Sequence, residues 1–251
     1  MPSTIIAGNW KMNTTLSEAR ELVARMRPGL DSIGGVDKVV CPPFISLAAV
    51  RDSLQGSTIR VGAQNVYPEP KGAFTGEVSP AMLSGLCEYV IIGHSERRHI
   101  LGETDALIAR KVEAALKAGL RPILCVGERL QEREQGRAEA VVEEQLRLGL
   151  EKAATLQGIV IAYEPVWAIG TGKAATKDDA QSMMAFIRGW LSKKYGVAAG
   201  DTSLLYGGSV NAGNVVDFMR QKDVNGALVG GASLDAAGFV ELTRNAASVK
   251  K

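Results

Sequence analysis

Eight short apolar runs, rich in β-branched residues and spread along the whole chain, constrain the fold more than any other feature of this sequence. They occupy residues 4–8, 38–41, 59–62, 89–93, 121–126, 159–163, 203–206 and 226–229. Each is a nearly continuous hydrophobic stretch rather than an alternating one. That is the pattern of a strand buried on both faces, as strands of a parallel sheet are. Between the runs lie longer segments with apolar residues three and four apart. In 16–26, Leu16, Ala19, Leu22, Val23 and Met26 share one helical face, and 107–116 and 140–146 behave alike.

Eight strands, each followed by a helix, in a chain of 251 residues predict an α/β fold: a closed parallel (β/α)8 barrel. No low-complexity linker or shift in composition divides the chain, so a single domain over 1–251 is expected. A doubly wound open sheet is the alternative. It would need a glycine-rich phosphate fingerprint after the first strand, and Gly8-Asn9-Trp10-Lys11 does not supply one. In a barrel of this kind the active site sits at the C-terminal ends of the strands.

Composition narrows the partners. The net charge is +2, and basic residues run no longer than pairs such as Arg97-Arg98 and Lys193-Lys194. A nucleic-acid surface needs a basic stripe, so no nucleic-acid partner is expected. No uninterrupted apolar segment approaches the ~20 residues of a membrane span, and the start of the chain lacks a basic region followed by a long apolar one. No membrane association or secretory signal is therefore read. Three widely spaced cysteines, Cys41, Cys87 and Cys125, form no Cys-x-x-Cys and suggest a reducing, cytoplasmic compartment. No set of His, Cys, Asp and Glu has metal-ligand spacing, so no metal is expected.

The strand ends carry the chemistry. The sixth run ends in Tyr163-Glu164-Pro165, followed by Val166-Trp167-Ala168-Ile169-Gly170-Thr171-Gly172-Lys173. A carboxylate at a buried strand tip, before a proline and a flap holding two glycines, suits a general base that must be aimed and shielded from water. The plain alternative is a solvated Glu at a strand end. Lys11, at the first strand tip beside Asn9 and Trp10, is either an anchor for an anionic substrate or a surface lysine. The fourth strand ends Gly93-His94-Ser95-Glu96. Ser95 and Glu96 read as the opening of a short helix, whose N-terminus would keep His94 neutral and a hydrogen-bond donor. The alternative is a core histidine satisfied by backbone; His99 reads as surface. The seventh and eighth strands end Tyr206-Gly207-Gly208-Ser209 and Val229-Gly230-Gly231-Ala232. Either glycine pair alone could be a mere turn. Two at consecutive strand ends suit close backbone approach to a phosphate.

With these motifs in hand, the chain resembles the triosephosphate isomerase family over essentially its full length. The matching segments are Gly8-Asn9-Trp10-Lys11-Met12-Asn13, Ala63-Gln64-Asn65-Val66, Gly72-Ala73-Phe74-Thr75-Gly76-Glu77, Ile92-Gly93-His94-Ser95-Glu96-Arg97-Arg98, 162–172 and the two glycine pairs. The resemblance implies a TIM barrel that interconverts dihydroxyacetone phosphate and D-glyceraldehyde 3-phosphate through an enediolate. It also implies a homodimer that needs no cofactor. It makes Glu164 the base, His94 the electrophile, and Lys11 with Asn9 the stabilisers of substrate charge. Gly170, Ser209, Gly230 and Gly231 would hold the phosphate through backbone N–H groups. Glu96 would orient Lys11, and Tyr206 would latch the closed flap. Phe74 and Thr75 would insert beside Lys11 and Asn13 of the partner, from a loop (64–77) longer than the two to six residues usual for such connections; the plain alternative is a loop folded back on its own barrel. Two other readings are weighed. A different phosphate-binding barrel, such as an amino-acid biosynthetic isomerase, shares the glycine turns but not Lys11, His94 and Glu164 together. An idle barrel used as a scaffold would be expected to have lost Glu164 or Lys11.

Overall fold

The computed structural model describes residues 2–168 and 175–249. Eight strands alternate with helices: β1 Ile5–Asn9, α1 Leu16–Asp31, β2 Asp37–Cys41, α2 Phe44–Ser53, β3 Ile59–Ala63, α3 Pro80–Leu83, β4 Tyr89–Ile92, α4 Ser95–His99, α5 Asp105–Lys117, β5 Arg121–Val126, α6 Leu130–Glu134, α7 Ala138–Gly149, β6 Val160–Tyr163, α8 Lys177–Tyr195, β7 Leu204–Tyr206, α9 Val215–Met219, β8 Gly226–Val229 and α10 Ala236–Val249. All strands pair in parallel and in sequence order, and β8 returns to β1 to close the barrel. Each predicted run ends within a residue of the observed strand.

Closure divides the hydrophobic core into two shells. Alternate strand residues point into the lumen, where Ile5, Ala7, Val39, Tyr89, Ile91 and Cys125 pack with their counterparts from the other strands. The residues between them, such as Ile6, Val40, Val90 and Leu124, face the helices. This is the period of two of a pleated strand wrapped into a cylinder.

The first helix shows how local sequence sets its element. Thr15 caps α1 in a capping box: its N–H donates to Glu18 Oε2 at 2.7 Å, and the Glu18 N–H donates to Thr15 Oγ1 at 3.4 Å. Such a cap is worth ~1 kcal/mol. Ala19, Leu22, Val23, Met26 and Leu30 bury the predicted face. Leu16, assigned to that face from the sequence, is instead 39% exposed, at the first position of the helix. Full burial of a Leu or Met side chain contributes ~1.5–3 kcal/mol.

Candidate active site

The strand period places the functional groups. On β6, Val160 and Ala162 face the lumen, and Glu164 continues the series one step above them, 2% exposed. Asn9 extends Ile5 and Ala7 of β1 in the same way, Gly207 extends Leu205 of β7, and Gly230 extends Leu228 of β8. His94 falls out of step with Tyr89 and Ile91. The strand ends at Gly93, whose φ of +71° suits glycine, and the turn brings His94 inward as the N-cap of α4. Asn9, Lys11, His94, Glu164, Gly207, Ser209, Gly230 and Gly231 line one cavity of about 350 Å³.

A larger groove of about 670 Å³ lies on the outer flank, and its charges are satisfied among themselves. Arg110 pairs with Glu69 at 2.5 Å and Lys117 with Glu113 at 2.6 Å.

Inside the smaller cavity the charged groups are connected. His94 Nε2 lies 2.9 Å from Glu164 Oε1, and the Ser95 N–H donates to Glu164 Oε2 at 2.9 Å. Burial pushes the Glu164 carboxyl up. The His94 imidazole, the Ser95 N–H and the Lys11 ammonium more than offset this and hold its pKa below the usual carboxylate value. Lys11 Nζ pairs with Glu96 Oε1 at 2.6 Å.

His94 differs from the sequence expectation. The Glu96 N–H donates to Nδ1 at 3.3 Å, which leaves a neutral ring its proton on Nε2. Burial also disfavours the imidazolium, but the Glu164 carboxylate outweighs it and raises the His94 pKa in this arrangement. Reading α4 alone captured the helix effect. It missed a carboxylate contributed by a strand tip 70 residues further along the chain. His99 lies on the surface, as read from the sequence.

The loop after β1 is strained. Lys11 (φ +53°) and Thr14 (φ +73°) are the two non-glycine residues with positive φ among those described. Such conformations cost ~1–3 kcal/mol and persist where neighbours enforce them. Here the Lys11 N–H donates to Asn9 Oδ1 at 3.0 Å. Gln64 Nε2 donates to the Lys11 carbonyl at 2.9 Å and to the Cys41 carbonyl at 2.8 Å.

The glycines after β7 have a second use beyond approach to an anion. A Cβ on Gly207 would lie 2.9 Å from Glu164 Cγ, and one on Gly208 would lie 2.2 Å from the Tyr206 hydroxyl. Tyr206 is buried and stacks on Phe218 with ring centroids 4.3 Å apart. Its hydroxyl has no hydrogen-bond partner among the described residues. Ser209 Oγ donates to the Ala168 carbonyl at 3.0 Å, at the root of the expected flap. Gly170 and the flap tip lie outside the described residues.

Sequence reading missed Ser95 and Gln64 as partners, and it missed Glu128. Glu128 is fully buried and accepts from Trp167 Nε1 at 2.8 Å and Tyr163 Oη at 3.1 Å. Its signal was available: like Glu164, it is a carboxylate directly beyond an apolar run, after Val126-Gly127. Phe74 and Thr75 stand away from the barrel on an exposed loop, 70–77. Phe74 contacts Tyr67 with ring centroids 4.5 Å apart. Among the described residues no cluster of His, Cys, Asp or Glu could hold a metal ion, and no helix is long and apolar enough to cross a membrane.

Comparison with known proteins gives the family. The family model described as triosephosphate isomerase matches residues 4–246. A triosephosphate isomerase of Dehalococcoides mccartyi is 53% identical over 251 residues, covering 100% of this chain and 99% of that protein. One from Moorella thermoacetica is 54% identical, covering 96% of this chain and 98% of its own length. One from Chloroflexus aurantiacus is 52% identical, covering 95% and 97%. A closed eight-stranded barrel, a strand-tip carboxylate against a strand-tip histidine, and full-length identity above one half place the chain in the triosephosphate isomerase family.

Proposed function

We propose that this chain interconverts dihydroxyacetone phosphate and D-glyceraldehyde 3-phosphate, the aldose–ketose step of glycolysis and gluconeogenesis. The observation that carries the reading is the convergence of Glu164, His94 and Lys11 in one cavity walled by Ser209, Gly230 and Gly231. Glu164 removes a proton from the carbon beside the substrate carbonyl and returns it to the neighbouring carbon. The His94 Nε2–H donates to the oxygen that gains charge in the enediolate, and Lys11 with Asn9 stabilises that charge. Backbone N–H groups of Ser209, Gly230, Gly231 and the flap's Gly170 hold the phosphate. Glu96 anchors Lys11, and Tyr206 offers its unpartnered hydroxyl to the flap's far end.

The hydrogen bonds in this arrangement define what must happen on binding. Both Glu164 oxygens are engaged, one by Ser95 N–H and one by His94. Glu164 must leave them to reach a carbon. Its departure removes the pull that raises the His94 pKa, while the Glu96 N–H stays at Nδ1. The ring is then a neutral donor at Nε2, as the reaction requires. A coupled spectrophotometric assay with D-glyceraldehyde 3-phosphate tests the proposal; absence of turnover would refute it.

The functional unit is a homodimer through the loops after β1 to β4. Met12 (97% exposed), Ile45 (77%) in the first turn of α2, Phe74 (40%) and Ile100 (77%) are exposed apolar side chains that follow β1, β2, β3 and β4 in turn, and they supply the apolar surface such an interface needs. A two-fold partner covers the same face on both chains. Three free, buried thiols fit a reducing cytoplasm.

A further inference from the structure

We propose that Ser233 is a positioning residue that aims the Gly231 N–H into the phosphate end of the cavity. The inference rests on the reading of Gly230 and Gly231 as phosphate ligands. It concerns a residue that does not line the cavity and is fully buried behind it.

Two donors of Ser233 converge on one oxygen. Its N–H reaches the Gly230 carbonyl at 2.8 Å, the ordinary bond of a tight helical turn. Its hydroxyl reaches the same carbonyl at 2.7 Å. The Ser233 side chain is wedged against β1 and α10. A Cβ added to Gly8 would lie 2.8 Å from Ser233 Cβ and 3.3 Å from the Phe239 ring. The Gly230 oxygen is therefore drawn to the buried side of the wall. The peptide between Gly230 and Gly231 is planar and trans, so its C=O and N–H point in opposite directions. Pinning the oxygen behind the wall turns the Gly231 N–H toward the cavity, where a Cβ on Gly230 would meet Lys11 Cε at 3.5 Å.

Without the hydroxyl bond this peptide rocks more freely, and the N–H spends less time on target.

The test is Ser233→Ala, which removes one oxygen and leaves the Ser233 N–H on the carbonyl, so folding is retained. The KM for D-glyceraldehyde 3-phosphate and the inhibition constant of inorganic phosphate should rise together by about five-fold, the worth of one ordinary hydrogen bond. The kcat should stay within about two-fold, because Glu164 and His94 keep their partners. Turnover of phosphate-free D-glyceraldehyde should not change. A merely structural defect would lower both substrates' rates alike, and that result would overturn the proposal. Unchanged inhibition by inorganic phosphate would overturn it too. A native enzyme that neither turns over the triose phosphate nor binds inorganic phosphate would instead refute the reading of the site.

Discussion

Gly207→Ala puts the placement of Glu164 to a direct test. Gly207 follows β7, and its N–H donates to the Tyr163 carbonyl at 2.7 Å. Its φ is not positive, so alanine suits the backbone. The new methyl carbon would lie 2.9 Å from Glu164 Cγ and 3.1 Å from the Tyr163 carbonyl oxygen, where ordinary contact begins at 3.4 Å. The carbonyl belongs to the β6–β7 pairing and cannot retreat, so the Glu164 side chain must yield by about half an ångström. A displacement of ~1 Å at a reacting group costs ~100-fold in rate, so half of that should lower kcat by about ten-fold. The KM should change little, because the glycines that line the other end of the cavity are untouched. Overpacking should also cost ~1–3 kcal/mol of stability, read as a lower thermal midpoint. Gly189→Ala is the control: nothing lies within 4 Å of its added methyl, and alanine favours the interior of a helix by ~1 kcal/mol. It should raise the midpoint and leave kcat alone. Native kcat in Gly207→Ala, with the methyl accommodated, would refute the claim that this contact sets the position of the carboxylate.

Further outcomes follow from the same geometry. Glu164→Asp retracts the carboxylate by one methylene and should lower kcat ~100-fold; Glu164→Gln should lower it further, and near-native turnover in either would remove Glu164 from the role of base. Glu164 acts as the carboxylate with a pKa below the ordinary value, whereas His94 must be neutral and its pKa is raised above the ordinary histidine value. So kcat/KM should fall first as pH drops through the His94 titration, with the loss of the Glu164 carboxylate adding a further decline at lower pH. A kcat/KM that stays flat as pH falls well below the ordinary histidine range would contradict this. Ser95→Pro deletes both donors that Ser95 offers Glu164, the N–H to Oε2 at 2.9 Å and the hydroxyl to Oε1 at 3.4 Å. The chain tolerates it, because Ser95 is the first residue of α4 and His94 has φ −52° and ψ 143°. Losing donors to the charged form raises the Glu164 pKa, so the lower-pH decline of kcat/KM should shift to higher pH; an unmoved decline would show that the bonds do not tune the carboxylate. Thr75→Arg places a charge in the proposed dimer face and should shift sedimentation toward monomer and lower activity. A native chain that sediments as a fully active monomer would refute the dimer.

The barrel was legible in the sequence because its signal is local. A strand buried on both faces has to be apolar throughout, and 121–126 and 226–229 coincide with β5 and β8 as observed. Glu164 was legible for a related reason: the same period of two that buries Val160 and Ala162 carries Glu164 inward, and a charge at that position needs a purpose. Leu16 failed because an apolar residue in the first turn of a helix matches the periodicity whether or not the barrel reaches it.

The network around these residues was not legible, because it depends on separations that periodicity does not encode. Lys11 and Glu96 are 85 positions apart, and Ser95 and Glu164 are 69 apart. Closure of the barrel makes them neighbours, since every strand tip faces the same axis. The His94 expectation shows the consequence for electrostatics. Its own helix start argues for a suppressed pKa, and a carboxylate from another strand reverses the sign. The two glycines at 207 and 208 carry the same lesson in steric form. Their sequence suggests space for an anion, and the structure adds that the space also belongs to Glu164 and the Tyr206 ring. A glycine pair at a strand tip therefore serves two demands at once. One is backbone approach from the cavity side; the other is clearance for the side chains of the adjoining strand. Substitution separates the two demands, because alanine preserves the N–H groups that an anion would use and removes only the clearance.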